Sequence, residues 1–416
     1  MTKNNFSVEE VRAQFPALRF QNKDQVFPIY FDGPGGTQMV QGCIDRMLEY
    51  IETGMANLHG TFSTSIKTDA LLEEAKQAVA DLLNCSPREV AFGQNMTSLA
   101  FQVASSLKPS LQKGDEIVVT QLDHRANVDP WIFLAKETGA VVRFIPVDKE
   151  KLVLDLTNIN SIINEKTKVV AIGLSSNLTG TISDAKKLFE AAKKVNAITI
   201  ADAVHAVPHL SVDFQELQSD ILFCSAYKFF GPHLGIAAIK KALFEQLEIP
   251  KLQPAPSEIP YKLETGTQNH EAIAGLCGTI SFIESLGTGE NRRQRLQAGM
   301  KAIEAHEEEL MASLQNFLRS IPEVTLYRAS EEIKKTPTFA FRIKGIHSRE
   351  ATEFFAEKYN LCIADGHFYA STMAEVFPVM DTGGWIRIGF APYNTLEEIE
   401  IFKKALKDLL LMKSRE

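Results

Sequence analysis

The chain has 416 residues, is 45% hydrophobic and 23% charged, and sets 44 basic against 52 acidic residues for a net charge of −8. This composition excludes collagen-like, disordered and repeat architectures, and its acidity argues against a general nucleic-acid binder. Cys43, Cys85, Cys224, Cys277 and Cys362 are odd in number and widely spaced, which disfavours a disulfide framework or a structural zinc site and points to a reducing cytoplasm.

In chain order, the N-terminal stretch MTKNNFSVEEVRAQF has no apolar core of a signal peptide. Ser7 and Glu10 instead form an S-x-x-E capping pattern ahead of Val11 and Phe15, which predicts a helix start. No apolar run approaches the roughly 18 residues of a membrane span. From Arg88 to about Lys240, apolar runs alternate with helical spacing: EVAFG, EIVVTQ, AVVRFIPV, KVVAIGL, AITIADAV, DILFCSA and GIAAIK. Runs without strict alternation predict strands covered on both faces, hence a mostly parallel sheet in an α/β domain. Ligands bind such sheets beyond the carboxyl ends of the strands. After Gly287-Thr288-Gly289 a long charged helix, Asn291 to about Ser320, leads to the strand-like runs VTLY, PTFAFRI, LCIAD and WIRIGF. These predict a smaller α+β lobe, joined by the N-terminal helix. The expected division is 1–24 as a segment packing with the small lobe, 25–290 as the large lobe, and 291–416 as the small lobe.

The residues that follow the runs carry the chemistry. Lys228 stands among aromatics in Ser225-Ala-Tyr-Lys-Phe-Phe-Gly-Pro, just past a strand. It reads either as a lysine snorkelling over Tyr227 and Phe229 or as an amine of lowered pKa suited to a Schiff base with a carbonyl cofactor. Asp202 ends AITIAD, where a carboxylate led into the interior needs a cationic partner. The protonated ring nitrogen of pyridoxal phosphate is such a partner; a simple turn cap is the plainer reading. Met96 and Thr97 open an apolar-periodic helix whose amides form an anion site, unless Asn95 or Thr97 merely caps it. His124 and Asn177, after two further strands, are placed to stack on or hydrogen-bond a cofactor, or to serve their loops. His124, Asn177, Asp202 and Lys228 all follow strands of one expected sheet, in order.

On these residues the sequence resembles the class V aminotransferases of fold type I, in the cysteine desulfurase and selenocysteine lyase branch, from YFDGPGG around Phe31 to the C-terminal helix. The resemblance implies a large lobe with a mostly parallel seven-stranded sheet, a smaller α+β lobe, and pyridoxal 5'-phosphate as cofactor. It implies that Lys228 holds the cofactor and moves the substrate Cα proton, that Asp202 pairs with the ring nitrogen, and that His205 lies near the phenolic oxygen. It puts His124 on the ring, and Met96, Thr97 and Ser225 on the phosphate, with Tyr227 where relatives often have His. Glu264-Thr-Gly-Thr267 resembles the segment that reaches a partner subunit's phosphate, which implies a homodimer with shared sites. Arg387, in WIRIG, matches the arginine that grips a substrate carboxylate; the plainer reading is an arginine in a half-buried strand paired to an aspartate.

The branch places a nucleophilic cysteine in an R-x-G-x-x-C segment. Here the stretch is Ala364-Asp-Gly-His367-Phe-Tyr369, and Cys362 lies in the preceding strand as a buried, inert thiol. Persulfide formation therefore lacks its nucleophile, and β-elimination from a small amino acid to pyruvate and ammonia is the expected reaction, with Tyr369 or His367 protonating the leaving atom. Transamination or epimerisation is the alternative within the same chemistry, and a catalytically silent relative is another. A cofactor-free acyl enzyme built on Ser225-x-x-Lys228 lacks its companion S-D-N and K-T-G elements. His205 and His209 are four apart, but Pro208 breaks the helix that would aim both at a metal. The expected partners are a small amino acid and a second copy of the chain, without nucleic acid, membrane or metal.

Overall fold

The computed structural model describes residues 6–21 and 27–415. The strands in chain order are β1 (Ile29–Tyr30), β2 (Val90–Gly93), β3 (Glu116–Thr120), β4 (Val141–Ile145), β5 (Val147–Asp148), β6 (Val153–Leu154), β7 (Thr167–Gly173), β8 (Ile198–Asp202), β9 (Ile221–Ser225) and β10 (Gly235–Ile239). They continue with β11 (Val324–Tyr327), β12 (Thr338–Ile343), β13 (Leu361–Cys362), β14 (Ala364–Gly366) and β15 (Trp385–Gly389).

The seven apolar runs form one 7-stranded sheet in the order β2-β10-β9-β8-β7-β3-β4. Only β10 runs against its neighbours; β4, β3, β7, β8 and β9 are mutually parallel. Each central strand is buried on both faces: Val118 and Ile172 belong to one apolar cluster, Ile117 and Val169 to the other. This is why these runs read as continuous rather than alternating. Every such fully buried aliphatic side chain contributes about 1.5–3 kcal/mol.

The helix Arg292–Ser320, capped by Asn291, leads to a 4-stranded antiparallel sheet in the order β11-β12-β15-β14, with its own apolar cluster around Phe341, Ile388 and Phe402. The run LCIAD is not one strand. Leu361 and Cys362 pair in parallel with β1, whereas Ala364–Gly366 pair with β15, so the chain changes sheets at Ile363. Ser7 caps the helix Val8–Ala13 by accepting from the Glu10 amide at 3.3 Å. Val11 of that helix and Phe15 just beyond it pack into the larger cluster, while Arg12 reaches Glu398 at 2.7 Å. The division expected between residues 24 and 25 lies outside the described residues.

Candidate active site

The carboxyl ends of β3, β7, β8 and β9 open on one cavity of about 1010 Å³, walled opposite by Ala364 to Tyr369 and Arg387 of the smaller sheet's side. It is lined by Met96, Thr97, His124, Asn177, Asp202, His205, Ser225, Tyr227, Lys228, His367, Tyr369 and Arg387, which are all but one of the residues expected to act on cofactor or substrate. The exception is Thr267, which is exposed and away from the cavity.

Lys228 closes the short turn Ala226–Lys228 directly after β9. Its Nζ donates to the carbonyls of Pro34 and Gly35 and lies 4.7 Å from the Tyr227 ring. Burial, and then the Arg387 charge, draw this amine down to about 7, against the opposing pull of Asp32 and Asp202. An amine that sheds its proton near neutrality is a ready nucleophile and base. Tyr227 stacks on His233, with ring centroids 4.9 Å apart.

Asp202 ends β8, and among the described residues its carboxylate accepts one hydrogen bond, from the Val204 amide at 2.9 Å. Burial pushes it up to about 6. Asp123, which sequence reasoning missed although it stands beside His124, is a second buried carboxyl in the same floor. It accepts from Thr120, Asn127 and the Gly173 amide at 2.8, 2.8 and 2.9 Å, and burial raises it to about 7. A Cβ at Gly173 would lie 2.8 Å from its Oδ1, so glycine is required there.

The helix Met96–Leu107 begins at the cavity with Asn95 as its cap. The Met96 amide donates to Ser225 Oγ at 3.3 Å, which joins two of the expected phosphate contacts to each other, and Thr97 is exposed beside them. His124 Nδ1 accepts from the Ala126 amide at 3.0 Å; burial, then Lys228 and Arg387, lower this imidazole to about 4. Its ring lies 5.4 Å from that of Tyr369. His205 Nε2 sits 2.9 and 3.0 Å from the hydroxyls of Thr336 and Thr338, and burial holds the ring neutral. Its neighbour His209 meets Glu307 at 3.0 Å, so that histidine is spent on an internal carboxylate rather than on a metal.

At the opposite wall, Arg387 Nη2 donates to Asp32 Oδ1 at 2.7 Å and Nη1 to the Asn177 carbonyl at 3.1 Å, and its buried Nε has no partner among the described residues. The Phe368 ring covers the guanidinium at 4.0 Å. Asn177 Nδ2 donates to the Phe368 carbonyl at 2.9 Å and its Oδ1 is buried without a partner. Phe368 and Tyr369 both adopt left-handed backbone, φ 53° and 55°, and the Tyr369 carbonyl accepts from the Arg125 amide at 2.8 Å. His367 Nδ1 accepts from the Tyr369 amide at 3.0 Å. Cys362 is half-buried rather than buried, because the two-residue β13 leaves it at a strand end; burial raises its thiol, and none of the cysteines lines the cavity.

Residues 29–402 match the class-V aminotransferase family, so the chain belongs to that family, whose members depend on pyridoxal phosphate. It is 29% identical to an aminotransferase-like protein of Gibberella zeae over 99% of this chain and 100% of that one. A cysteine desulfurase of Pectobacterium carotovorum is 27% identical over 95% and 96% of the two chains. The cysteine desulfurase structure from Thermococcus onnurineus superposes with a TM-score of 0.86 at 26% identity, covering 96% of this chain and 97% of that one.

The cavity fits the cofactor on its own terms. A near-neutral amine, a buried carboxylate short of partners, and a helix start bearing Thr97 stand in one enclosure. Each answers one group of pyridoxal phosphate: aldehyde, ring nitrogen and phosphate.

Proposed function

We propose that this enzyme is a pyridoxal-phosphate-dependent lyase that breaks the C–S or C–Se bond of a small L-amino acid by β-elimination. The observation that carries this reading is the wall facing Lys228: it holds Tyr369 and His367, and no cysteine lines the cavity. The cysteine desulfurases among the relatives support the substrate class. When bound, the cofactor supplies an electron sink for the pair left as the substrate Cα loses its proton.

The chain's own residues would act as follows. Arg387 would take the α-carboxylate, using the Nε–H that has no partner among the described residues. Lys228 would hold the cofactor's aldehyde and, with its amine free, would remove the substrate Cα proton at Nζ. Asp202 would set a negative charge against the ring nitrogen and keep it protonated, and His124, Asn177 and His205 would help to hold the ring. Tyr369, or His367 beside it, gives a proton to the departing sulfur or selenium. Thr97, the Met96 amide, Ser225 and Tyr227 hold the phosphate end.

We also read the enzyme as a cytoplasmic homodimer, with 1–24, 25–290 and 291–416 as terminal segment, cofactor lobe and small lobe. Thr267, exposed on this copy, would complete the phosphate site of its partner. The exposed apolar side chains Leu48, Ile51, Met55, Phe62 and Ile66 support such an interface.

The test is to load the purified protein with pyridoxal phosphate and supply L-cysteine, L-cystine or L-selenocysteine. Pyruvate and ammonia are expected from all three, equimolar with sulfide from cysteine, selenide from selenocysteine and thiocysteine from cystine. Alanine with sulfane sulfur would overturn elimination in favour of desulfuration, and amino transfer to a keto acid would overturn it in favour of transamination.

A further inference from the structure

We infer that Asp32 is a specificity-determining residue: with Arg387 it forms a two-charge receptor that admits zwitterionic amino acids and discriminates against plain carboxylates. The inference rests on the proposed role of Arg387 but not on the fate of the substrate's side chain.

The edge of a guanidinium that takes a carboxylate bidentately offers Nε–H and one Nη–H. In Arg387 that edge is half filled: Asp32 Oδ1 accepts from Nη2 at 2.7 Å while the buried Nε has no partner. Asp32 is itself half-used. Its Oδ2 makes no hydrogen bond among the described residues, and its side chain, 37% exposed, faces the cavity beside Lys228. One unmet donor and one unmet acceptor thus sit on adjoining groups of opposite charge. A carboxylate alone satisfies the donor but meets an arginine whose charge is already balanced by Asp32, and it brings a second anion against Asp32. An amino acid satisfies both, its carboxylate at Nε and its ammonium at Oδ2.

The local backbone is shaped to hold this carboxylate. Asp32 follows β1 and bridges to Gly389 at the end of β15, the strand that carries Arg387. A Cβ at Gly35 would fall 2.2 Å from Asp32 Oδ2, so the Gly-Pro-Gly-Gly turn leaves the room that this oxygen occupies. The aspartate is therefore built into the recognition wall.

The test uses the cofactor-loaded full-length enzyme and two probes of the same carbon skeleton, propionate and L-alanine, neither with a leaving group. Dissociation constants come from the change in visible absorbance and from thermal shift. Asp32→Asn keeps an acceptor for Nη2 and removes the charge, so propionate should bind about fivefold or more tightly and alanine about fivefold or more weakly. Opposite movement is the signature; a merely structural residue would weaken both. Constants that move together, or do not move, overturn the inference. Asp32→Ser carries the same test should the asparagine variant not fold, and Asp32→Glu, which keeps the charge, should preserve the preference. Because no bond to sulfur is involved, the outcome is independent of whether cysteine undergoes elimination.

Discussion

The Phe368 ring lies 4.0 Å from the guanidinium carbon of Arg387, and the same residue offers its carbonyl to Asn177. One aromatic residue therefore shields the face of the cation while Asn177 fixes the loop that carries it. Removing the ring in Phe368→Ala forfeits a cation–π contact worth about 0.5–2 kcal/mol in a desolvated setting. KM for an amino-acid substrate should rise about 2- to 30-fold with a smaller change in kcat, measured by steady-state kinetics.

Lys228 gives a pH dependence with a defined sign. Its folded value of about 7 lies below that of a free lysine, so the neutral amine prevails above about pH 7. Capture of pyridoxal phosphate by the apoprotein should accelerate as pH rises through 7 and then level off. Asp32→Asn removes a charge that holds the amine up and should move the midpoint down; Arg387→Leu should move it up. Stopped-flow absorbance at varied pH reads both shifts.

Asp202 should have opposite effects on the two states of the protein. Without a cationic partner its carboxyl is held at about 6, above an ordinary aspartate, so the apoprotein loses stability as pH climbs through that interval. Asp202→Asn should then stabilise the apoprotein at neutral pH by about 3 kcal/mol, the equivalent of roughly two pKa units. The loaded enzyme should lose activity by about 2–5 kcal/mol, as when one partner of a buried charge pair is truncated. Denaturant melts of the two forms, with turnover, test the crossing.

Tyr369→Phe deletes the proposed acid while leaving the ring beside His124. Elimination should slow by about 10²–10⁴-fold with cofactor loading unchanged. Unaltered sulfide release in a continuous assay would remove the role.

Lys76 and Glu264 form a buried pair at 3.4 Å, with Lys76 Nζ 3.9 Å from the Tyr261 ring and Glu264 Oε1 accepting from the Phe92 amide at 3.0 Å. The pair ties the start of the Glu264–Thr267 segment to the main sheet. Lys76→Met strands a buried carboxylate and should cost about 3–5 kcal/mol in urea unfolding. The double variant with Glu264→Gln should recover most of it, and light scattering would report whether the proposed dimer depends on this tether.

Much of this was legible in the sequence. The seven apolar runs match the seven strands: burial on both faces makes the inner strands continuously hydrophobic, only the edge strand β4 departs from it, and Asp202 and Lys228 were singled out by asking what a polar group does at the end of such a run. The break in LCIAD was not legible, since the residues up to Ala364 read as one unbroken apolar run and only the strand partners reveal the change of sheet. Asp32 and Phe368 were missed for a related reason. Asp32 gains its meaning from an arginine 355 positions away, and Phe368 from the same arginine, so neither carries a local pattern. Asp123 stood next to a residue already under scrutiny, and its place after a buried strand was a signal equal to that of Asp202.

The loop bearing Lys228 leaves the main sheet at Ser225 and re-enters at Gly235, its register partner on the neighbouring strand. Its ends are thus stitched together, and Asp202 stands on the next strand of the same slab. Arg387 rides on the other sheet, with Tyr369 just beyond an adjacent strand. The molecule is a vice with a fixed anvil and a separate jaw: jaw mutations that keep the Arg387 charge, which also bears on the Lys228 amine, would retune the proposed grip on an amino acid while leaving the framework of the anvil in place.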